Sequence, residues 1–261
     1  MTFAGPELLL QLADQRANGA VLCDAGTLFL RHGAVVHAES PAATGLDVLL
    51  TEGGLLSYDE WERAVTEAGA RHRVARRLVE TGRVPGSALE MFHLSAMYDA
   101  AYFALGGASV PRRFRRGVAH WLGPVSPVSA ESLLRESRRR ADLLDALWPD
   151  ARLDHAPVQR REAVRPPRIP PRQRRVLDAA DGSRTATGIA RLLGRPAFHT
   201  LVDIRRLAAA GLVTAPQLMR RPGPGGARPA PAGGPVAGIT SAEHLDVGLL
   251  RRIRDALEAK L

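Results

Sequence analysis

Residues 19–38 read GAVLCDAGTLFLRHGAVVHA. Three short apolar runs are separated by the pairs Ala25-Gly26 and His32-Gly33, which is the pattern of a β-meander. Gly26 and Gly33 are free to take the positive φ angles that two-residue hairpin turns need. The residues on either side change period. Leu8, Leu9, Leu12 and Ala13 recur at helical spacing, and Asn18-Gly19 stops that helix. Beyond Pro41, Leu46, Leu49 and Leu50 form a helical face. Ser57 and Glu60 have capping-box spacing ahead of Tyr58 to Ala68. Val74, Leu78 and Val79 mark another helix. A long one spans about Ser87 to Leu105 and is apolar on more than one side, as expected of the central helix of a module. Arg113 to Arg115 alternates like a strand, and Val118, His120 and Trp121 suggest a second. Ser129 introduces a helix from Ala130 to Trp148. The fold class expected is α+β: a small antiparallel sheet packed on helices.

Residues 151–171 contain five prolines, Pro157, Pro166, Pro167, Pro170 and Pro171, among arginines. They read as an extended basic linker. From Arg172 the helical period returns three times, around Val176-Leu177, Ile189-Leu192 and Leu201-Ile204-Leu207. Glycines stop these helices, and Leu212-Val213-Thr214 follows as a short strand. This predicts a winged-helix (helix-turn-helix) domain over 172–220. Residues 221–239 are too rich in Pro and Gly to build a core and are expected to be disordered. Residues 240–261 read as an amphipathic helix with Leu250, Ile253 and Leu257 in one stripe, short enough to need a docking surface.

The 261 residues are 45% hydrophobic and 24% charged, a composition that supports a buried core. Charge is unevenly spread. Residues 1–100 hold 8 arginines against 13 acidic residues, and residues 151–221 hold 15 against 5. The only lysine in the chain is Lys260. An acidic front and a basic rear point to a polyanionic or acidic partner for the rear half. The single cysteine, Cys23, excludes an intramolecular disulfide framework and a thiolate-rich metal site. No apolar run approaches the ~20 residues of a membrane span, and residues 1–7 carry no basic leader segment. A cytoplasmic protein without a membrane partner is expected.

The eight histidines form neither H-E-x-x-H nor a histidine pair at i, i+4 with a carboxylate. His32 and His37, five apart across a hairpin, are expected to face different neighbours. No G-x-S-x-G elbow and no phosphate loop is present. No enzyme activity, metal or cofactor is expected on these grounds.

In a helix-turn-helix unit the third helix enters the major groove. The face left free by Leu201, Ile204 and Leu207 offers His199, Thr200, Arg205 and Arg206 to base edges. Arg174, Arg175, Arg184 and Arg191 stand at helix starts or exposed turns, where they would meet phosphates. Asp203 on the same face opposes this reading.

Residues 1–150 resemble the PATAN-like domain of bacterial regulators and of proteins encoded beside gliding-type small GTPases and their roadblock partners. The matching stretches are Gly19 to Leu22, Gly26 to Ala38 and the helix Glu131 to Leu144. That resemblance implies a signalling or interaction module and carries over no catalytic residue. Residues 172–214 resemble winged-helix units, with Ala180 to Ala186 as the turn between helices. Together the expected function is a non-enzymatic transcriptional regulator. Its front module receives a protein signal or forms a homodimer, and its rear module binds duplex DNA. The alternative is a scaffold in a small-GTPase or roadblock-type complex, holding protein partners through the front module or the C-terminal helix and binding no DNA.

Overall fold

The meander forms. The structure is a computed structural model that describes residues 6–106, 111–162 and 167–215. Strands β1 (Gly19–Cys23), β2 (Gly26–Arg31) and β3 (Ala34–Glu39) pair antiparallel. Strand β4 (Pro111–Arg116) adds beside β1, giving the order β3-β2-β1-β4. Between β2 and β3, His32 and Gly33 have φ of 50° and 81°, the two positive values of a tight hairpin turn. Gly26 does not take a positive φ. It is needed for space, because a Cβ there would fall 2.2 Å from the Glu39 carbonyl oxygen and 2.8 Å from the Ala104 Cβ.

The β2–β3 ladder carries one irregularity. Phe29 pairs with His37 and Leu30 with Val35, so Val36 is an extra residue in β3. This β-bulge shifts the alternation by one. Val35 enters the core with Leu28 and Leu30, while Val36 joins Phe29 and Ala20 on the opposite face. His37, paired with Phe29, and Glu39, paired with Thr27, therefore turn away from that core.

Helices α1 (Pro6–Asp14), α5 (Gly86–Leu105) and α6 (Ala130–Leu147) cover the core face of the sheet through Leu9, Met97 and Leu133. Helices α2 (Leu46–Thr51), α3 (Tyr58–Ala68) and α4 (Val74–Glu80) pack around Leu50, Trp61, Leu78 and the α5 residue Leu89. The capping box at Ser57 and Glu60 forms in both directions. Val118 to Trp121 do not form the second strand expected of them. The chain from Gly117 is irregular until Val128 bonds both ways with Val35 on the far edge of the sheet.

Helices α7 (Pro171–Asp178), α8 (Ala186–Leu192) and α9 (Ala197–Ala209) and strand β6 (Val213–Thr214) follow. The segment read as an extended linker is not one where it is described. Ala151–Asp154 makes a 3-10 turn, and β5 (Gln159–Arg160) pairs with β6. Leu153 and Val158 are buried among Val176, Ile189 and Leu201. Two apolar side chains and the backbone bonds between Val158 and Arg184 and between Gly182 and Val158 suffice to fix the segment. Proline content alone did not show this. The segment 221–239 and the helix expected at 240–261 lie outside the described residues. No helix among the described residues is long and apolar enough to cross a membrane.

Residues 6–215 fall in one compact unit, Met1–Gln217, not in a front and a rear body. Helix α5 supplies the join. It reaches the sheet core through Met97, the α2–α4 core through Leu89, and the α7–α9 core through Tyr102 and Phe103. At its middle, Asp99 is 1% exposed. Its carboxylate accepts from Arg140 Nη1 of α6 at 2.7 Å and from the Phe198 amide of α9 at 3.1 Å. Arg140 also donates to Glu136 at 3.0 Å and lies 4.4 Å from the Phe198 ring centroid. Helix α9 has Pro196 at its N-cap, with no side-chain cap of its own. Asp99 fills that role from another helix, with its negative charge at the positive helix end.

Asp99→Ala removes the cap and leaves Arg140 buried without its main partner. Such a break costs about 3–5 kcal/mol. Asp99→Asn keeps an acceptor for the Phe198 amide and is expected to cost less. Urea denaturation of both variants measures the order, and equal midpoints for wild type and Asp99→Ala would refute it.

Candidate functional site

The expected base-reading helix is α9, and the structure buries most of it. Thr200 is 0% exposed and donates to the Pro196 carbonyl within its own helix. Arg205 is 1% exposed. Its guanidinium donates to both Asp154 carboxylate oxygens, at 2.8 and 2.7 Å from Nη2, and to the Trp148 carbonyl. Asp203, expected on the outer face, is 0% exposed and accepts from Arg172 and Arg195, each at 2.9 Å. Only His199 and Arg206 of the four proposed base readers are exposed. The assignment of Thr200 and Arg205 to base edges is therefore corrected. A buried charge must be paired, and these are paired within the chain.

The four residues assigned to phosphates lie at the surface, in different company. Arg174 and Arg175 are exposed on α7, and no ion pair involves either among the described residues. Arg184 is held by Asp181, three residues earlier. Arg191 is exposed but donates to the Pro41 carbonyl at 2.6 Å, beside Thr187, which bonds the Ala42 carbonyl at 2.9 Å. Arg191 thus fastens α8 to the loop after β3. Of the eight residues, the structure leaves Arg174, Arg175, His199 and Arg206 open to a partner.

A second constellation was not legible in the spacing. The β3 bulge turns His37 toward His93 of α5 and His120 of the segment after β4. His37 Nδ1 lies 3.2 Å from His93 Nε2, and the His37 and His120 rings stack with centroids 3.8 Å apart. Phe29 packs edge-on against His120 at 4.8 Å. The Leu122 amide donates to His120 Nδ1 at 3.2 Å, so the His120 proton sits on Nε2 and is donated to Glu39 at 2.7 Å. Donor atoms of His37, Glu39 and His120 all lie within 4.8 Å of one another. The rings are buried, and the Glu39 side chain is 50% exposed. Burial pushes the His37 pKa well below the ordinary histidine range, and the neighbouring His120 and His93 rings lower it further. Burial lowers His93 to about 4, against the opposing pull of the Val36 carbonyl. His93 Nδ1 is buried without a hydrogen-bond partner. His32, by contrast, is exposed in its turn, so the two hairpin histidines face different surroundings.

The three imidazoles come from residues 27 to 83 positions apart, and no local motif could have shown them together. The expectation of no metal rested on sequence-local spacing, which carries no information about residues brought together in this way. Neither a family model, nor a curated protein, nor a solved structure matches the chain.

The opposite fates of two neighbouring arginines are measurable. Arg205→Ala leaves Asp154 and the Trp148 carbonyl without this donor and is expected to cost about 3–5 kcal/mol. Arg206→Ala is expected to stay within about 0.5 kcal/mol of wild type, as surface changes do. Urea midpoints that are equal for the two variants would contradict the packing of α9.

Proposed function

We propose that this chain is a non-enzymatic regulatory scaffold that holds an acidic protein partner on the arginine face of α7. The observation that carries this reading is the burial of Thr200, Asp203 and Arg205. The polar groups a groove-reading helix would present are spent on contacts to α6, α7 and the 3-10 turn. The strand partner of β6 comes from residues before α7. The described residues thus hold no two-stranded wing beyond α9. What stays open is Arg174 and Arg175, with His199 and Arg206 on α9. Such a surface supplies long-range attraction and register to an acidic patch. It offers no element shaped for base edges.

The excess of arginine over acidic residues in 151–221, set against the acidic first 100 residues, supports the same reading. So does the resemblance of residues 1–150 to PATAN-like interaction modules. Sequence-specific transcriptional regulation through α9 would require Thr200 and Arg205 to leave their partners, at the expense of the contacts that dock the helix.

The test uses the full chain and an Arg174→Glu/Arg175→Glu variant. Wild type is expected to retain a protein partner from native lysate after nuclease treatment, with elution by salt, and the double variant is expected to lose it. A gel shift with mixed-sequence duplex is expected to show no strong retention at physiological salt. Duplex binding that weakens by about 10³–10⁵-fold between 50 and 200 mM salt, as 6–10 phosphate contacts produce, would overturn the scaffold in favour of DNA.

A further inference from the structure

We infer that His37, Glu39 and His120 form a binding site for one divalent transition-metal ion of the zinc class. The argument begins with donor chemistry. Two imidazoles and one carboxylate have donor atoms mutually within 4.8 Å, and the ligands of one zinc stand at most about 4.2 Å apart, so rotation of the stacked His37 and His120 rings brings the three round a single ion. Nitrogen donors favour zinc and its neighbours, while hard cations such as Mg²⁺ prefer an all-oxygen shell.

The surroundings fit the same assignment. His37 turns Nδ1 to His93 Nε2, which leaves Nε2 as the nitrogen available to an ion. A histidine ligand whose other ring nitrogen is held by a buried neighbour is the usual supporting arrangement, because the neighbour orients the ring. His93 is 0% exposed on α5, the Val36 carbonyl bonds its ring, and its Nδ1 is buried without a hydrogen-bond partner. Packing does not account for three buried imidazoles, since apolar side chains of similar volume would fill the space without buried nitrogens. The half-exposed Glu39 carboxylate gives an ion a route from solvent, and water can complete the coordination.

His120 sets a condition. Its proton sits on Nε2, between the ring and Glu39. Ligation through Nε2 moves that proton to Nδ1 and breaks the bond from the Leu122 amide. The Leu122 amide is therefore a reporter inside the site. Val35 holds Val128 by two backbone bonds at 2.8 Å, so the segment carrying His120 is anchored at its far end and does not need the ion to stay in place.

The experiment is calorimetric titration of ZnCl₂ into the untagged full chain after chelator treatment. The expected result is one zinc ion per chain. Glu39→Gln, at a half-exposed position, is expected to weaken binding at least tenfold. His93→Gln is expected to weaken it 10- to 100-fold through the orientation of His37. His32→Ala, in the exposed turn, is the control and is expected to change nothing. Amide NMR is expected to show the Leu122 signal move on zinc addition. Should His93→Gln fail to fold, Glu39→Gln and the Leu122 signal decide alone. Unchanged zinc binding in Glu39→Gln, an unmoved Leu122 signal, or Mg²⁺ competing on equal terms would each overturn the site.

Discussion

The structure depends on one buried carboxylate. Asp99 stands where α5, α6 and α9 meet, and its two oxygens take a hydrogen bond from Arg140 and one from the first turn of α9. Burial raises the Asp99 pKa above the ordinary carboxylate range, while Arg140 and the Phe198 amide pull it back. The interaction joins residues 99 and 140, in what the sequence presents as a front module, to residue 198, in what it presents as a rear one. Once α9 is capped from α5, its Thr200, Asp203 and Arg205 face the rest of the chain, while His199 and Arg206 stay exposed. Arg205 then closes on Asp154, and Asp203 on Arg172 and Arg195. The rear helices thereby become part of the same body as the sheet.

This has a consequence for the arginines. A basic composition does not show which guanidinium groups are available. Arg140, Arg195 and Arg205 complete internal networks, and Arg191 fastens α8 to backbone carbonyls of residues 41 and 43. Only a subset, with Arg174 and Arg175 foremost, adds to the outward field. The planar fork of arginine suits both uses, since it binds carboxylates and backbone carbonyls with several donors at once. The same chemistry that suggested phosphate contact holds α9 in place.

The histidine cluster follows a different physical rule. Strand alternation would place Val35, His37 and Glu39 on one face. The extra residue Val36 breaks that alternation, so Val35 is buried in the core and His37 and Glu39 emerge on the other side. A bulge of one residue thus decides whether these ligand-type side chains meet His120. Nothing in the apolar pattern of residues 34–39 shows where the bulge falls, because Val35 and Val36 are interchangeable as core residues in a linear reading.

The sequence by itself determined the local elements. The meander, the turn at His32-Gly33, the capping box at Ser57-Glu60, the cap at Ser129 and the central character of α5 all follow from period, cap and turn chemistry, which act over a few residues. Tertiary structure alone decided which polar residues are inside. It buried Arg205 and Thr200, drew residues 151–160 into the α7–α9 core and gathered His37, His93 and His120 from three distant segments. Burial of a charge depends on a partner far away in the chain, and neither period nor composition carries that information. That is why the helices and the exposed arginines of α7 could be read from the sequence, and the burial of Arg205 and the histidine cluster could not.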